Sequence, residues 1–335
     1  MTSQPRKPTL VRSRPYPLQF LRRYGTLLGL LTIVGVFWGL RPTTFMTIGN
    51  WINITQQVSI LSVVAFTSTV VMVTGAFDLS VGALASLAGV VAAVLMSGGM
   101  AVPLALALTL AVALAAGLLN GLLVAYLRIT PFVATLGTLT TFGGLALMAS
   151  DGTTIFGSAI PDAFGAFGRG GLALGEAGGR AVLLPNLTLV AASVFVIVYV
   201  LLSHTTFGRR LYAIGGNREA ARLSGIRVRL LSLLAFVVSG LGAGIGGLML
   251  ASRLASANPG QGDGLMLNAI AAVFLGITMS EEGEPHVFGT LVGVLILGVL
   301  ANGLTQLQIN SYVQQVLTGT IIILAVALGS LSRRT

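Results

Sequence analysis

The feature that most constrains this chain is the distance between its charges. From residue 24 to residue 330, apolar runs follow one another and the aspartates, glutamates and arginines are confined to the gaps between them. A helix needs about 20 largely apolar residues to cross a hydrocarbon core. Runs of this kind lie at 24–40, 53–74, 79–98, 101–127, 131–149, 183–202, 230–251, 265–280, 286–307 and 311–330, with 265–280 the shortest. Only 8% of the residues are charged, against about 25% in an ordinary soluble domain. So few ionised groups cannot cover a compact water-exposed surface. The expected fold is an all-α polytopic membrane protein of about ten transmembrane helices.

The basic residues orient the spans. With the N-terminus inside, Arg6, Lys7, Arg12, Arg14, Arg22, Arg23, Arg128, Arg209, Arg210, Arg218, Arg222, Arg227, Arg229, Arg333 and Arg334 fall on the inner face, and Arg41, Arg169, Arg180 and Arg253 on the outer. Cytoplasmic loops carry the excess of Lys and Arg, so ten spans with both termini cytoplasmic fit better than nine or eleven. A net charge of +10 would suit nucleic acid, but no basic run is interleaved with exposed aromatics. The charge reads as topology and as contact with membrane lipid.

Three regions follow. Residues 1–23, basic and broken by Pro5, Pro8, Pro15 and Pro17, read as a disordered cytoplasmic tail. Residues 24–330 form a single transmembrane domain, and 331–335 a short cytoplasmic end. The run from Leu27 to Leu40 has the length of a signal-peptide core but no small-residue cleavage site after it, so it reads as an uncleaved first helix. The loop 150–182, rich in glycine and nearly neutral, is external. It is either a partner surface or a flexible spacer.

A faint repeat runs through the domain. "NGLLVAYLRITPFVATLGTL" from Asn120 resembles "NGLTQLQINSYVQQVLTGTI" from Asn302 with a two-residue gap, and an aspartate precedes each: Asp78 by 42 residues and Asp263 by 39. The offset of five spans is odd, so the two halves would be inverted, the arrangement that places a permeation path between repeats in many transporters. Chance likeness between apolar segments is the competing reading.

Counting excludes several chemistries. Lys7 is the sole lysine and follows no glycine loop, so the chain holds no phosphate-cradling ATPase motif. His204 and His286 are the only histidines and cysteine is absent, which rules out an HExxH zinc site, thiolate metal sites and disulfides. Both histidines sit at span ends, where interfacial capping is the expected role. Among the nine acids, Asp78, Asp151, Asp162, Glu176, Glu219, Asp263, Glu281, Glu282 and Glu284, only Asp78 approaches a span interior, so ion coupling has little support. No catalytic residues are expected, and no cofactor on this chain.

In this apolar setting "FGRRLYAIGGNREAARLSGIRVR" stands out. Asn217 suits an N-cap, Glu219 the first turn and Gly225 a left-handed position past the end, with Ile226 placed to touch Ala221. A helix about 11 Å long is too short to span and marginal by itself. It must dock, either on acidic headgroups or in a protein groove. Ala220, Ala221 and Leu223 offer a small apolar surface ringed by Arg218, Arg222, Arg227 and Arg229.

These residues also carry a resemblance. "TFGRRLYAIGGNREAARLSGIRV" resembles the cytoplasmic coupling segment of the ribose-type sugar permeases, membrane subunits of ABC importers in the branched-chain amino acid/ribose permease superfamily. "TGAFDLSVGALASLAG" resembles their G-x-x-D-L-S-x-G motif, and the stretches from Asn120 and from Gly289 resemble their central and C-terminal spans. The likeness covers residues 45 to 330 in order. It implies a type II-like importer permease that pairs with a second permease subunit, two cytoplasmic ABC ATPase subunits holding ATP and Mg, and a periplasmic sugar-binding protein, all at a bacterial inner membrane. It further implies that Asn217, Arg218, Glu219, Ala220, Ala221, Arg222, Leu223, Ser224 and Gly225 form the helix seated on the ATPase. Gly75, Asp78, Leu79, Ser80 and Gly82 would be the signature near the path. Two departures stand out: Phe77 where a small or β-branched residue is usual, and "MSEEGEPHVFGT" where a glycine-rich basic turn is typical.

Asp78 reads as an N-cap for the following span, with a gating or coupling role as the alternative. Asn53, Gln56, Gln57, Asn120, Asn268, Asn302 and Gln306 are candidates to line the path, and each could instead bridge helices. "GLGAGIGG" from Gly240 reads first as close packing and second as a flexible gate. The expected function is import of a ribose-like monosaccharide driven by a partner ATPase. The alternatives are the same machinery carrying a furanosyl signalling molecule or an amino acid, an ion-coupled carrier using Asp78, and a structural membrane anchor.

Overall fold

The computed structural model describes residues 16–177, 180–280, 282–320 and 323. The start of the expected tail, Glu281, the end of the last apolar run and the C-terminal tail lie outside the described residues. The chain folds in the order α1 (Tyr16–Leu40), α2 (Ile48–Met72), α3 (Val81–Ser97), α4 (Val102–Ala125), α5 (Pro131–Ala149), β1 (Ile155–Phe156), α6 (Asp162–Arg169), β2 (Gly171–Ala177), β3 (Arg180–Pro185), α7 (Asn186–His204), α8 (Thr206–Gly216), α9 (Arg218–Leu223), α10 (Val228–Leu254), β4 (Ser256–Ala257), α11 (Asp263–Ile277) and α12 (Val287–Gln306). Residues 311–320 are also helical.

Among the described residues six helices, α2, α4, α5, α7, α10 and α12, are long and apolar enough to cross a membrane, while α3, α11 and Gly25–Leu40 of α1 are shorter apolar helices. The protein is a mostly helical, polytopic membrane protein. Local chemistry sets the starts. Thr47 caps α2, its hydroxyl accepting from the Asn50 N–H, and proline stands in the first turn of α4 and α5, where its missing N–H costs nothing.

The helices sort into an inner and an outer set. In their most apolar stretches 78% of α2 and α12 and 61% of α10 is buried, against 28% of α4, α5 and α7. The outer helices turn Leu104, Leu108, Leu136 and Ile197 away from the bundle, as lipid-facing helices must. The inner contacts are backbone-close. A Cβ on Gly240 of α10 would stand 2.8 Å from the Ala113 carbonyl of α4, and one on Gly117 of α4 would stand 2.7 Å from the Phe236 carbonyl. Small residues let helices approach this far where lipid removes any hydrophobic advantage of protein over membrane. The Gly240–Gly247 run is therefore packing. α10 lies along α3 and α4, while α2 lies along α11 and α12.

Two breaks interrupt this bundle. After α2 the chain turns through Gly75, whose φ of +79° lies in the left-handed region, and runs on to α3. After α10 it turns through Ala255, also left-handed at φ +48°, and passes through β4 to α11. The starts of α3 and α11 meet inside the bundle: a Cβ on Gly82 would lie 2.7 Å from the Gly262 carbonyl, and Ser86 Oγ accepts from the Gly262 N–H at 2.8 Å.

Three expectations change. Residues 16–23 are helical rather than tail, because Pro17 falls in the first turn of α1, where proline is tolerated. The loop 150–182 is not a featureless spacer. β1 pairs with β4, β2 with β3, and Ser252 Oγ of α10 donates to the Phe164 carbonyl of α6. These short strands are the exception to an all-helical fold, and β3 takes residues expected to open the span at 183.

Candidate functional site

The first element of the site is the segment 204–229. Thr205 caps α8, its hydroxyl accepting from the Gly208 N–H at 3.2 Å. It buries Leu211 and Ile214, each contributing about 1.5–3 kcal/mol when fully removed from water. Its Tyr212 hydroxyl donates to the Pro285 carbonyl at 2.9 Å, tying α8 to the loop before α12. Burial, and then the charge of Glu284, push the Tyr212 phenol up to about 12, so it remains a donor across the ordinary pH range.

α9 is sealed at both ends. Asn217 Oδ1 accepts from the Glu219 and Ala220 N–H groups at 3.1 and 2.9 Å. At the far end Gly225 takes φ +80°, its N–H donates to the Arg222 carbonyl, and the Ile226 N–H donates to the Ala221 carbonyl, both at 3.1 Å. These are the paired bonds that close a helix on a left-handed glycine. Ala221 is buried with Leu211, Ile214 and Phe236 in one cluster, which Ile226 also touches. Leu223 is 75% exposed. Arg218, Arg222, Arg227 and Arg229 are exposed around it, as are Ala220 and Ser224. Arg222 holds Glu219 through Nε at 3.0 Å, and that bond lowers the Glu219 pKa. So short a helix keeps its shape through its caps and one inward alanine.

The second element is the turn before α3. Asp78 is buried, 4% exposed. Its Oδ1 accepts from the Ser80 N–H at 3.0 Å and from Ser80 Oγ at 2.6 Å; its Oδ2 accepts from Ser239 Oγ of α10 at 2.8 Å. Ser80 Oγ accepts from Asn120 Nδ2 of α4 at 2.8 Å, and Asn120 Oδ1 accepts from Thr138 Oγ1 of α5 at 2.7 Å. Four helices are joined by one chain of buried polar groups. Buried polar groups need partners, and this chain supplies them in sequence. The N-cap position itself belongs to Ser80, whose side chain makes no cap bond. Asp78 instead folds the turn ahead of the helix, which corrects the capping expectation. Phe77 stacks on Phe274 of α11, ring centres 5.9 Å apart.

The other candidates divide. Leu79 is half-buried, and Gly75 is exposed in the turn. Asn53 and Asn268 are exposed, and Gln56 and Gln57 half-buried. Asn120 is fully enclosed, and Asn302 is buried, accepting from Gln306 Nε2 at 3.1 Å, while Gln306 Oε1 accepts from Thr44 Oγ1 at 2.8 Å. Asn120 and Gln306 thus bridge elements, whereas Asn302 bonds within α12, to Gln306 one turn on. His286 holds the N-cap position of α12 without a side-chain cap bond, and burial lowers its pKa. His204 packs against Tyr199. Glu282 and Glu284 border a 410 Å³ cavity with Arg209, Tyr212 and His286. Ser239 and Thr138 were not singled out from sequence. A serine or threonine in an apolar helix satisfies itself on the carbonyl one turn back as readily as it reaches a neighbour, so no linear pattern marks the difference.

A family described as branched-chain amino acid transport system / permease component matches residues 50–326. The ribose import permease protein of Bacillus subtilis (strain 168) is 42% identical over 308 residues, 92% of either chain. The ribose import permease protein of Escherichia coli (strain K12) is 36% identical over 328 residues, 97% of this chain and 98% of the relative. The galactose/methyl galactoside import permease protein of Salmonella typhimurium (strain LT2) is 36% identical over 94% of this chain and 96% of its own. No solved structure matches the chain. Since the match leaves out little more than α1 and the chain ends, this protein belongs to the branched-chain amino acid transport system permease component family.

Proposed function

We propose that this chain is the membrane subunit of an ATP-driven ABC importer for a monosaccharide of the ribose type. The observation that carries the reading is α9, a helix closed at both ends, fixed to the core by Ala221 and turning Leu223 and its arginines outward. A chain with one lysine and no phosphate loop needs an outside source of work, and this is the surface suited to receive it. Residues 217–225 seat in a groove of the partner ATPase, which holds ATP and Mg. Its closure moves α9 and α10, and the path switches between inward- and outward-facing states. A second permease subunit completes the path, and a periplasmic sugar-binding protein delivers the solute to the face bearing α6, β2 and β3. Relatives named for ribose and galactose import support a sugar as the solute.

The same reading sets ten spans at the inner membrane, both termini in the cytoplasm and two inverted halves. The packing of α10 on α3 and α4, echoed by α2 on α11 and α12, supports the inversion. Asn53, Gln56, Gln57 and Asn268, each exposed or half-buried, are the better path-lining candidates. In an ion-coupled carrier Asp78 would be the coupling group, but both of its oxygens already accept from Ser80 and Ser239.

Affinity purification from the native membrane tests the reading. An ATPase should accompany the wild-type chain and be lost from Glu219→Arg, which breaks the pair with Arg222 and reverses the charge in the first turn. A wild-type chain that emerges intact and alone from several detergents would overturn it.

A further inference from the structure

We infer that Ser239, Asn120 and Thr138 are positioning residues for transport, which with Asp78 key the segment 204–229 to the joint between α2 and α3. Displacement of α9 is thereby passed to α3 and onward to the start of α11. The inference rests on the coupling role proposed for α9.

The joint is held by that segment from two sides. On one side α9 runs through Ser224–Arg227 directly into α10, and Ser239 of α10 donates to Asp78. Ser239 lies eleven residues into α10, about 16 Å along its axis, so the bond sits well inside the bundle. On the other side a Cβ on Gly215 of α8 would collide with the Val73 carbonyl at the end of α2. The joint is then fixed to the outer helices. Ser80 accepts from Asn120, and Asn120 accepts from Thr138. Onward transmission to α11 uses a close backbone contact and one further hydrogen bond, since Gly82 abuts Gly262 and Ser86 Oγ accepts the Gly262 N–H.

Packing contacts slide, whereas hydrogen bonds between enclosed polar groups are directional. Opening one without water leaves the partner unsatisfied. Asp78 has no cation beside it among the described residues, and three donors from Ser80 and Ser239 supply what holds it. α10 therefore cannot shift past the joint without carrying it or breaking the bond outright. That makes the joint either a rigid transmitter or a two-position latch, and in both cases the load passes through Ser239.

The test uses the whole importer, permease with its ATPase and binding protein, reconstituted in vesicles, and reads sugar imported per ATP hydrolysed. Ser239→Ala should lower that ratio about fivefold, the factor typical of one lost net hydrogen bond, and Ser239→Thr should restore most of it. A merely structural serine would lower import and hydrolysis in proportion, leaving the ratio unchanged, and that result overturns the inference. Should Ser239→Ala fail to assemble, Thr138→Val carries the same test, keeping the shape while removing the donor to Asn120. A wild-type chain that binds no ATPase overturns the coupling reading instead, so the two failures are distinct.

Discussion

The two breaks in the bundle have the same plan and opposite chemistry. Each follows a long inner helix, turns through a left-handed residue, and restarts as a short helix whose first turn meets its counterpart at Gly82 and Gly262. The break before α3 is filled by Asp78, enclosed and holding three donors. The break before α11 carries Asp263, which is exposed, and is organised by Asn258, whose Oδ1 accepts from the Gly260 N–H at 2.9 Å and whose Nδ2 donates to Thr154 at 2.7 Å. Geometry is repeated while polar content is not. One joint is locked to three neighbouring helices and the other is held mainly from its outer end.

That contrast can be broken first at the aspartates. Asp78→Ala strands three donors, each costing about 1–3 kcal/mol when left unsatisfied, and should abolish transport and lower the unfolding temperature sharply. Asp263→Ala should change stability by no more than about 0.5 kcal/mol. Equal losses on thermal unfolding in detergent would erase the distinction. Next in size, Gly262→Ala pushes a Cβ into the Gly82 carbonyl and should cost about 1–3 kcal/mol by overpacking. By contrast Gly264→Ala, with nothing nearer than Asn268 at 3.9 Å, should be neutral or gain up to about 1 kcal/mol from helix propensity. Ser86→Ala removes a side-chain bond between the two joints and should cost about 1 kcal/mol, visible as faster hydrogen exchange at the start of α11. Asn258→Ala should cost less than Ser86→Ala, under about 1 kcal/mol on the same thermal unfolding, because water replaces its exposed partners.

Much of this was legible along the chain, because its causes are local. From 53–74 to 286–307 the apolar runs match helices to within about five residues, since length and lipid compatibility act on contiguous sequence. Asn217 and Gly225 declared the ends of α9, because caps are set by residues at fixed offsets. The β1–β4 pairing was hidden for the opposite reason: Ile155 and Ala257 are brought together by the bundle and by nothing in either segment. The buried chain from Ser239 to Thr138 was hidden likewise. Asn120 was noticed as an amide in an apolar run, but whether such an amide faces a path or a neighbour depends on the rotation of α4, which apolar sequence on all sides does not specify. Nor did sequence separate the two aspartates, whose spacing to Asn120 and Asn302 is alike while their surroundings differ.

The closed ends of α9 have one more consequence. Its caps come from its own chain, Asn217 at the front and the turn through Gly225 behind, so identity and shape are decoupled. Arg218 and Leu223 can be exchanged without unfolding the helix, and Arg222 gives up only its surface pair with Glu219. Under the coupling role proposed for α9, a cell running several importers in one membrane could rewrite the address on this short rod, directing each permease to its own motor, while the transmission behind it stays as it is.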